Sequence, residues 1–263
     1  MKNLILLFLT LFLFAFVPAT NKLIKKIQVE GLQHTYADNL NNIYSVANNE
    51  IVKYDSDGKY FSKFSDKTWG AIHHLDASNP LKILVFYKDF SKIIFLDNML
   101  GQTGSTIFLE KLGLEQTQLA CSSHNNGIWI FNQLNFELIR LAQTLEITNR
   151  TGNLGQVLAI NMAPNFMLQH NNFLYLNNPE TGILVFDSFG TYYKTIPIKG
   201  LSSFQVRDDD IVFIQKNKVG TFNLKSLKAS IIAESDTGLV KANVEKNRLI
   251  LQYKNYFDIN EIQ

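Results

Sequence analysis

Apolar residues in this chain come in short, nearly continuous runs separated by polar turns. The runs are Ile43-Tyr44-Ser45-Val46, Ile83-Leu84-Val85-Phe86, Ile128-Trp129-Ile130-Phe131, Leu174-Tyr175-Leu176, Ile211-Val212-Phe213-Ile214 and Leu249-Ile250-Leu251. Their starts are spaced by 40, 45, 46, 37 and 38 residues. This is the period of a four-stranded propeller blade. β-Branched and aromatic residues between turn signals favour strands over helices.

Each run has the same surroundings. A polar turn precedes most of them: Asn41-Asn42, Asn125-Asn126-Gly127, Asn171-Asn172, Asp208-Asp209-Asp210 and Lys246-Asn247. Asn, Asp and Gly tolerate the left-handed backbone of tight hairpins. A second apolar strand follows, such as Ile51 to Tyr54 or Ile183 to Phe186, then a third, such as Tyr60 to Phe64 or Tyr192 to Ile196. One more candidate strand lies upstream, as at Ile72 to Leu75, Thr117 to Cys121 and Phe204 to Val206. The sum is four strands per repeat. The reading is an all-β, six-bladed β-propeller; a seventh blade would need a repeat that the sequence does not contain. The sixth repeat ends early, and an unattached strand, Leu23 to Val29, opens the chain after its leader. Pairing it as the outer strand of the last blade would close the ring and protect a sheet edge. Helix signals are weak: Ser105 to Leu114 fits a short helical turn or an outer strand plus turn.

The first residues carry a different pattern. Lys2 precedes 13 residues, Leu4 to Phe16, apolar except for Thr10, and Val17-Pro18-Ala19 offers small residues for cleavage before Thr20. This three-part arrangement is that of a secretory signal peptide. The run is short of the ~20 residues that span a bilayer, so cleavage is expected rather than anchoring. The domains are then a signal peptide, 1–19, and a propeller, 20–263, with no transmembrane segment after cleavage and a periplasmic or secreted location.

Composition narrows the partners. Lys and Arg number 25 against 23 Asp and Glu, too balanced for a nucleic-acid binder that works through phosphate charge. The one cysteine, Cys121, excludes internal disulfides and Cys-rich metal centres and reads as a buried small hydrophobe.

Residues 38–61, DNLNNIYSVANNEIVKYDSDGKYF, resemble an NHL-type propeller repeat, which reads roughly D-x-x-G-N-I-Y-V-A-D…N-x-I-x-K-F-D-x-x-G. Residues 171–193, NNFLYLNNPETGILVFDSFGTYY, resemble a looser copy. The first copy has Asn41 in place of the usual Gly and Ser45-Val46-Ala47 in place of Val-Ala-Asp. The resemblance implies a six-bladed propeller of the NHL/TolB-like kind. It brings no catalytic residue with it, because the repeat is structural, and propellers host unrelated functions.

Reactive motifs are thin. There is no HExxH, no G-x-S-x-G and no phosphate loop; Gly101-Gln102-Thr103-Gly104-Ser105 reads as a loop. Asp55-Ser56-Asp57-Gly58 begins like a calcium loop but lacks its later ligands, so it reads as a blade turn. His34 and His73 fall on candidate innermost strands, and Asp76 is one of the few acids there. These three are the channel candidates. His73 and His74, adjacent on a strand, would face opposite ways. No metal or other cofactor is assigned, calcium at the channel being the alternative. Aromatic and Asn residues in or beside the loops between second and third strands mark a recognition face. Its candidates are Tyr87, Phe90, Asn132, Asn178 and Tyr253.

The expected function is a non-catalytic exported propeller that serves as an interaction module for another envelope or secreted protein. The alternatives are a calcium-dependent lactonase-type hydrolase and a small-ligand or glycan binder. The exported chain is predicted to begin at Thr20. Intact mass of protein recovered from the producing cells checks this, and a chain that keeps Met1 to Ala19 would make the segment an anchor.

Overall fold

A computed structural model describes residues 21–235 and 238–262; the expected signal peptide lies outside them. The described chain opens with β1 (Lys22–Gln28). Blade 1 is β2 (Leu32–Ala37), β3 (Ile43–Ala47), β4 (Glu50–Tyr54) and β5 (Tyr60–Ser65). Blade 2 is β6 (His74–Asp76), β7 (Ile83–Tyr87), β8 (Lys92–Leu96) and β9 (Gln102–Phe108). Blade 3 is β10 (Thr117–Ser122), β11 (Ile128–Asn132), β12 (Glu137–Leu141) and β13 (Ile147–Arg150). A short helix, α1 (Leu154–Leu158), leads to blade 4: β14 (Phe166–His170), β15 (Phe173–Asn178), β16 (Gly182–Asp187) and β17 (Tyr192–Ile196). Blade 5 is β18 (Phe204–Arg207), β19 (Asp210–Gln215), β20 (Lys218–Asn223) and β21 (Ala229–Glu234). Blade 6 takes β22 (Lys241–Glu245), β23 (Arg248–Gln252) and β24 (Tyr256–Glu261) from the end of the chain and β1 from its beginning. Six antiparallel four-stranded sheets result, as the repeat spacing predicts.

The apolar runs are continuous because both faces of the second strands are buried. Ile83, Val85 and Tyr87 of β7 pack toward blade 1, while Leu84 and Phe86 pack toward blade 3. In β11, Ile128 and Ile130 face blade 2, and Trp129 and Phe131 face blade 4. The core is therefore a ring of six interfaces, one between each pair of neighbouring blades. Successive strand residues point to opposite faces, so one strand serves two interfaces.

Turn chemistry also follows the sequence. Asn41, Asn125, Asn126, Asn171 and Asp208 have φ between 49° and 68°. Lys246 adopts φ 48° without the local hydrogen-bonding help that Asn or Asp supplies. Asp55 Oδ1 accepts from the amides of Asp57 and Lys59, and Asp187 Oδ1 from those of Phe189 and Thr191. The acidic residues before these outer strands thus close hairpins.

Two local readings are resolved. Ser105–Leu114 forms the end of an outer strand and a turn: β9 runs to Phe108, and one 3-10 turn follows over Leu109–Leu112. The segment Gly101 to Ser105, read as a loop, lies mostly within β9. Gly104, at φ 68°, sits where the β8–β9 register shifts, a bulge that disguises the strand.

Closure occurs through β1. Its register sets Ile27 against Phe257 and Lys26 against Asp258, and Val29 N–H donates to Asn255 O at 2.9 Å. Ile24 and Ile27 pack on the core between blades 6 and 1. Partial burial of two such side chains contributes roughly 2–3 kcal/mol, loss of β1 also unpairs β24, and about 1 kcal/mol moves a domain of this size by ~2–4 °C. Deleting residues 20–30 is therefore expected to lower the thermal midpoint by roughly 10 °C or more, read by circular dichroism. An unchanged midpoint would contradict closure by β1.

Candidate functional site

The innermost strands β2, β6, β10, β14, β18 and β22 surround the central channel. The upper face carries the connections between blades and the loops between second and third strands. The lower face carries the remaining hairpins. Four side chains border the space on both sides: Tyr36, His74, Phe166 and Lys241. They form a waist. His74 lies edge-on to Tyr36 at 5.8 Å and to Phe166 at 5.6 Å, and Phe166 meets Phe204 at 5.2 Å. Above the waist is a vestibule of about 420 Å³, and below it a chamber of about 390 Å³.

The waist divides the channel candidates. His34 and His73 line the vestibule, whereas Asp76 lines the chamber. His73 precedes β6, its ring edge-on to Phe86 at 5.8 Å, and both it and His74 border the vestibule. Burial, with help from Lys241 and His73, pushes His34 down to about 4. Burial pushes His74 down to about 3 against the opposing pull of Asp76. Both imidazoles are neutral at pH 7. Burial also brings Lys241 down to about 7 and raises Glu245 to about 7.

Polar side chains along the inner strands largely join one blade to the next. Leu75 N–H donates to Tyr36 Oη at 3.4 Å, joining blades 1 and 2. Asp76 Oδ2 accepts from Ser122 N–H at 2.7 Å, joining blades 2 and 3. Gln169 Oε1 accepts from Trp129 Nε1 at 3.0 Å, joining blades 3 and 4. Phe166 against Phe204 performs this task between blades 4 and 5. Gln205 accepts from Val244 N–H at 2.7 Å between blades 5 and 6. Gln252 Oε1 accepts from Thr35 N–H at 2.7 Å and Oγ1 at 3.1 Å between blades 6 and 1. Asp38, at the chamber, is engaged by the amides of Leu40 and Asn42, by Asn42 Nδ2 and by Tyr44 Oη. Among the described residues, no three His, Cys, Asp or Glu side chains come together in a way that could hold a metal ion.

The five loop-face candidates are scattered over blades 2, 3, 4 and 6 and do not form one pocket. Phe90 is 45% exposed, with Lys92 Nζ 5.3 Å from its ring centre and 3.6 Å from that of Trp69. Tyr87 is buried between blades 1 and 2. Asn132 is buried and accepts from the amides of Leu134 and Asn135. Asn178 is buried, accepts from Ala163 N–H and donates to Asn161 O. Tyr253 stacks on Tyr256 at 4.5 Å. Sequence reasoning missed Tyr36, Phe166 and Lys241 as channel residues. Phe166 and Lys241 open their inner strands and Tyr36 sits near the end of its own, and no local signal tells that these positions meet across a channel.

Six four-stranded sheets in a closed ring make this chain a six-bladed β-propeller. It matches virginiamycin B lyase from Staphylococcus aureus with a TM-score of 0.64 and 12% identity, over 93% of this chain and 100% of that one. It matches the Pan2 WD40 domain of Neurospora crassa with a TM-score of 0.64 and 9% identity, over 92% and 95% of the two chains. The extracellular domain of a candidate one-component system from B. thetaiotaomicron matches with a TM-score of 0.56 and 12% identity, over 88% of this chain and 33% of that one. At these identities the likeness is one of fold. No family model and no curated protein matches the sequence. No helix among the described residues is long and apolar enough to cross a membrane.

The waist gives a pH signature. Lys241 has a folded value of about 7 and an unfolded value of 10.5. Between them the unfolded chain holds a proton that the folded chain has lost, so this group makes stability rise with pH over that window. Below it both states are protonated and the penalty is constant. Lys241→Met is expected to resist urea better than the parent near pH 7, with the gap closing toward about pH 10. A gap that stays constant with pH would mean that the ammonium is not desolvated.

Proposed function

We propose that the mature protein is an exported, non-catalytic β-propeller that binds another envelope or secreted protein through its loop faces. The observation that carries this reading is where the two kinds of side chain are placed. Asp76, Gln169, Gln205 and Gln252 around the channel are engaged in joining blades, while large apolar groups stand in solvent at connections. Leu134 and Val157 on the upper face, and Leu81, Phe189 and Leu227 on the lower, are each at least 66% exposed. Exposed apolar side chains are ordinary one by one; on rigid hairpin tips they supply preordered contacts at low entropic cost.

Export rests on the leader pattern of residues 1–19. The NHL-type reading of residues 38–61 and 171–193 is supported by the matching turns that Asp55 and Asp187 build at equivalent places. A lactonase-type activity would need carboxylates with free oxygens at the channel mouth. Two acids at the chamber, Asp38 and Asp76, already accept four and two hydrogen bonds.

The test uses two double variants, Phe90→Ser with Leu134→Ser and Leu81→Ser with Phe189→Ser, in cross-linked cells. One pair is expected to reduce recovery of a specific envelope partner roughly tenfold, which corresponds to about 1.4 kcal/mol, with the circular dichroism spectrum unchanged. If both pairs leave every co-purifying protein at its original level, the loop-face reading is wrong.

A further inference from the structure

One buried cation at the channel waist has neither an anion nor a hydrogen-bond acceptor among the described residues. Lys241 opens β22 and is 9% exposed. Its Nζ lies 3.6 Å from the centre of the Tyr36 ring and makes no hydrogen bond or ion pair with any described residue. The other deeply placed cations are better served. Lys53 Nζ donates to Asn98 O at 2.7 Å. Arg140 donates to Ser123 Oγ, Thr148 Oγ1 and His124 O. Lys92 lies against three aromatic rings. A buried ammonium held by one ring face is a costly arrangement unless something completes it.

The two sides of the waist differ in what they would admit. The chamber is bordered by four carboxylates, Asp38, Asp76, Asp208 and Glu245, against Arg207 and Lys246, a balance that disfavours an anion. The vestibule has one carboxylate, Asp89. Its three imidazoles, His34, His73 and His74, are held toward the neutral form by burial. Ile72, Leu119, Phe166, Met167 and Val240 give it an apolar wall. Its volume of about 420 Å³ is within the range of small-molecule sites.

We propose that the vestibule binds a small organic monocarboxylate, its carboxylate oxygens taken by Lys241 Nζ and its apolar body lying against the Ile72–Met167 side. One unpaired cation matches one negative charge. A phosphate dianion would bring a second charge to a wall of neutral imidazoles. A neutral molecule would leave the ammonium uncompensated. This site does not depend on the loop-face partner.

The probes are benzoate, acetate, benzamide and inorganic phosphate, added just below neutral pH to the mature protein with ¹³C-labelled lysine. Benzoate is expected to shift the Lys241 Cε resonance saturably. It should bind roughly tenfold or more tightly than benzamide, which lacks the charge, and than acetate, which lacks the body. In Lys241→Met, benzoate and benzamide should become equivalent. Equal binding of benzoate and benzamide to the parent protein would overturn the proposal without reference to any variant. So would absence of a Lys241 shift with both carboxylates, or tighter binding of phosphate than of benzoate.

Discussion

A ring of sheets holds only if its last joint holds, and here that joint is made by the two ends of the chain. The strand β1 supplies the outer edge of blade 6, so the junction of blades 6 and 1 joins segments more than 200 residues apart in sequence. It is held by directed bonds at two radii. At the channel, Gln252 accepts from Thr35 and donates to Gln33 O at 2.9 Å, and Asn243 donates to Thr35 O at 3.3 Å. Farther out, Arg248 donates to Ser56 O and pairs with Asp57 at 2.9 Å, while Lys25 Nζ reaches Gly58 O at 2.7 Å. Apolar contact alone is indifferent to sliding. Directed hydrogen bonds at inner and outer radii fix the register at which the ring closes, and a buried partner left unmatched is costly.

The same principle, repeated around the ring, explains why the channel looks rich in functional groups while few of them are free. Each inner strand is paired along one edge only, within its own sheet, so its backbone alone does not reach the neighbouring blade. A glutamine, aspartate or tyrosine on one inner strand supplies the missing bond to the next blade. These residue types in a channel resemble an active site when read from sequence. Their partners identify them as joints, and what stands out by contrast is the charged group that joins nothing.

Legibility in the sequence followed the number of constraints acting on each residue. Second strands such as β7 and β11 serve two interfaces at once, so both alternating sets must be apolar, and their spacing discloses the blade count. Hairpin Asn and Asp residues were readable because a left-handed backbone restricts the choice of side chain. Inner strands were harder: β6 has three residues, too few for a period. The reading of Tyr87, Asn132, Asn178 and Tyr253 as loop-face groups rested on residue type at a loop. The fold turns the two Asn side chains inward to satisfy amides. A loop needs such capping, and sequence does not distinguish an Asn that caps from one that waits for a ligand. Lys241 was invisible for the opposite reason, since a lysine at the start of a strand is ordinarily solvated.

Lys241 is also tied to the seam. Across the β22–β23 ladder it pairs directly with Gln252, the residue whose amide group holds blade 1. Tyr36, whose ring faces the ammonium, lies one residue beyond Thr35, the group that Gln252 holds. The uncompensated charge is therefore placed next to the bonds that close the ring. An anion that neutralises it binds the closed ring and not the unfolded chain, so its binding energy adds to closure by linkage. The joint that closes the ring and the cation that lacks a partner occupy the same few residues.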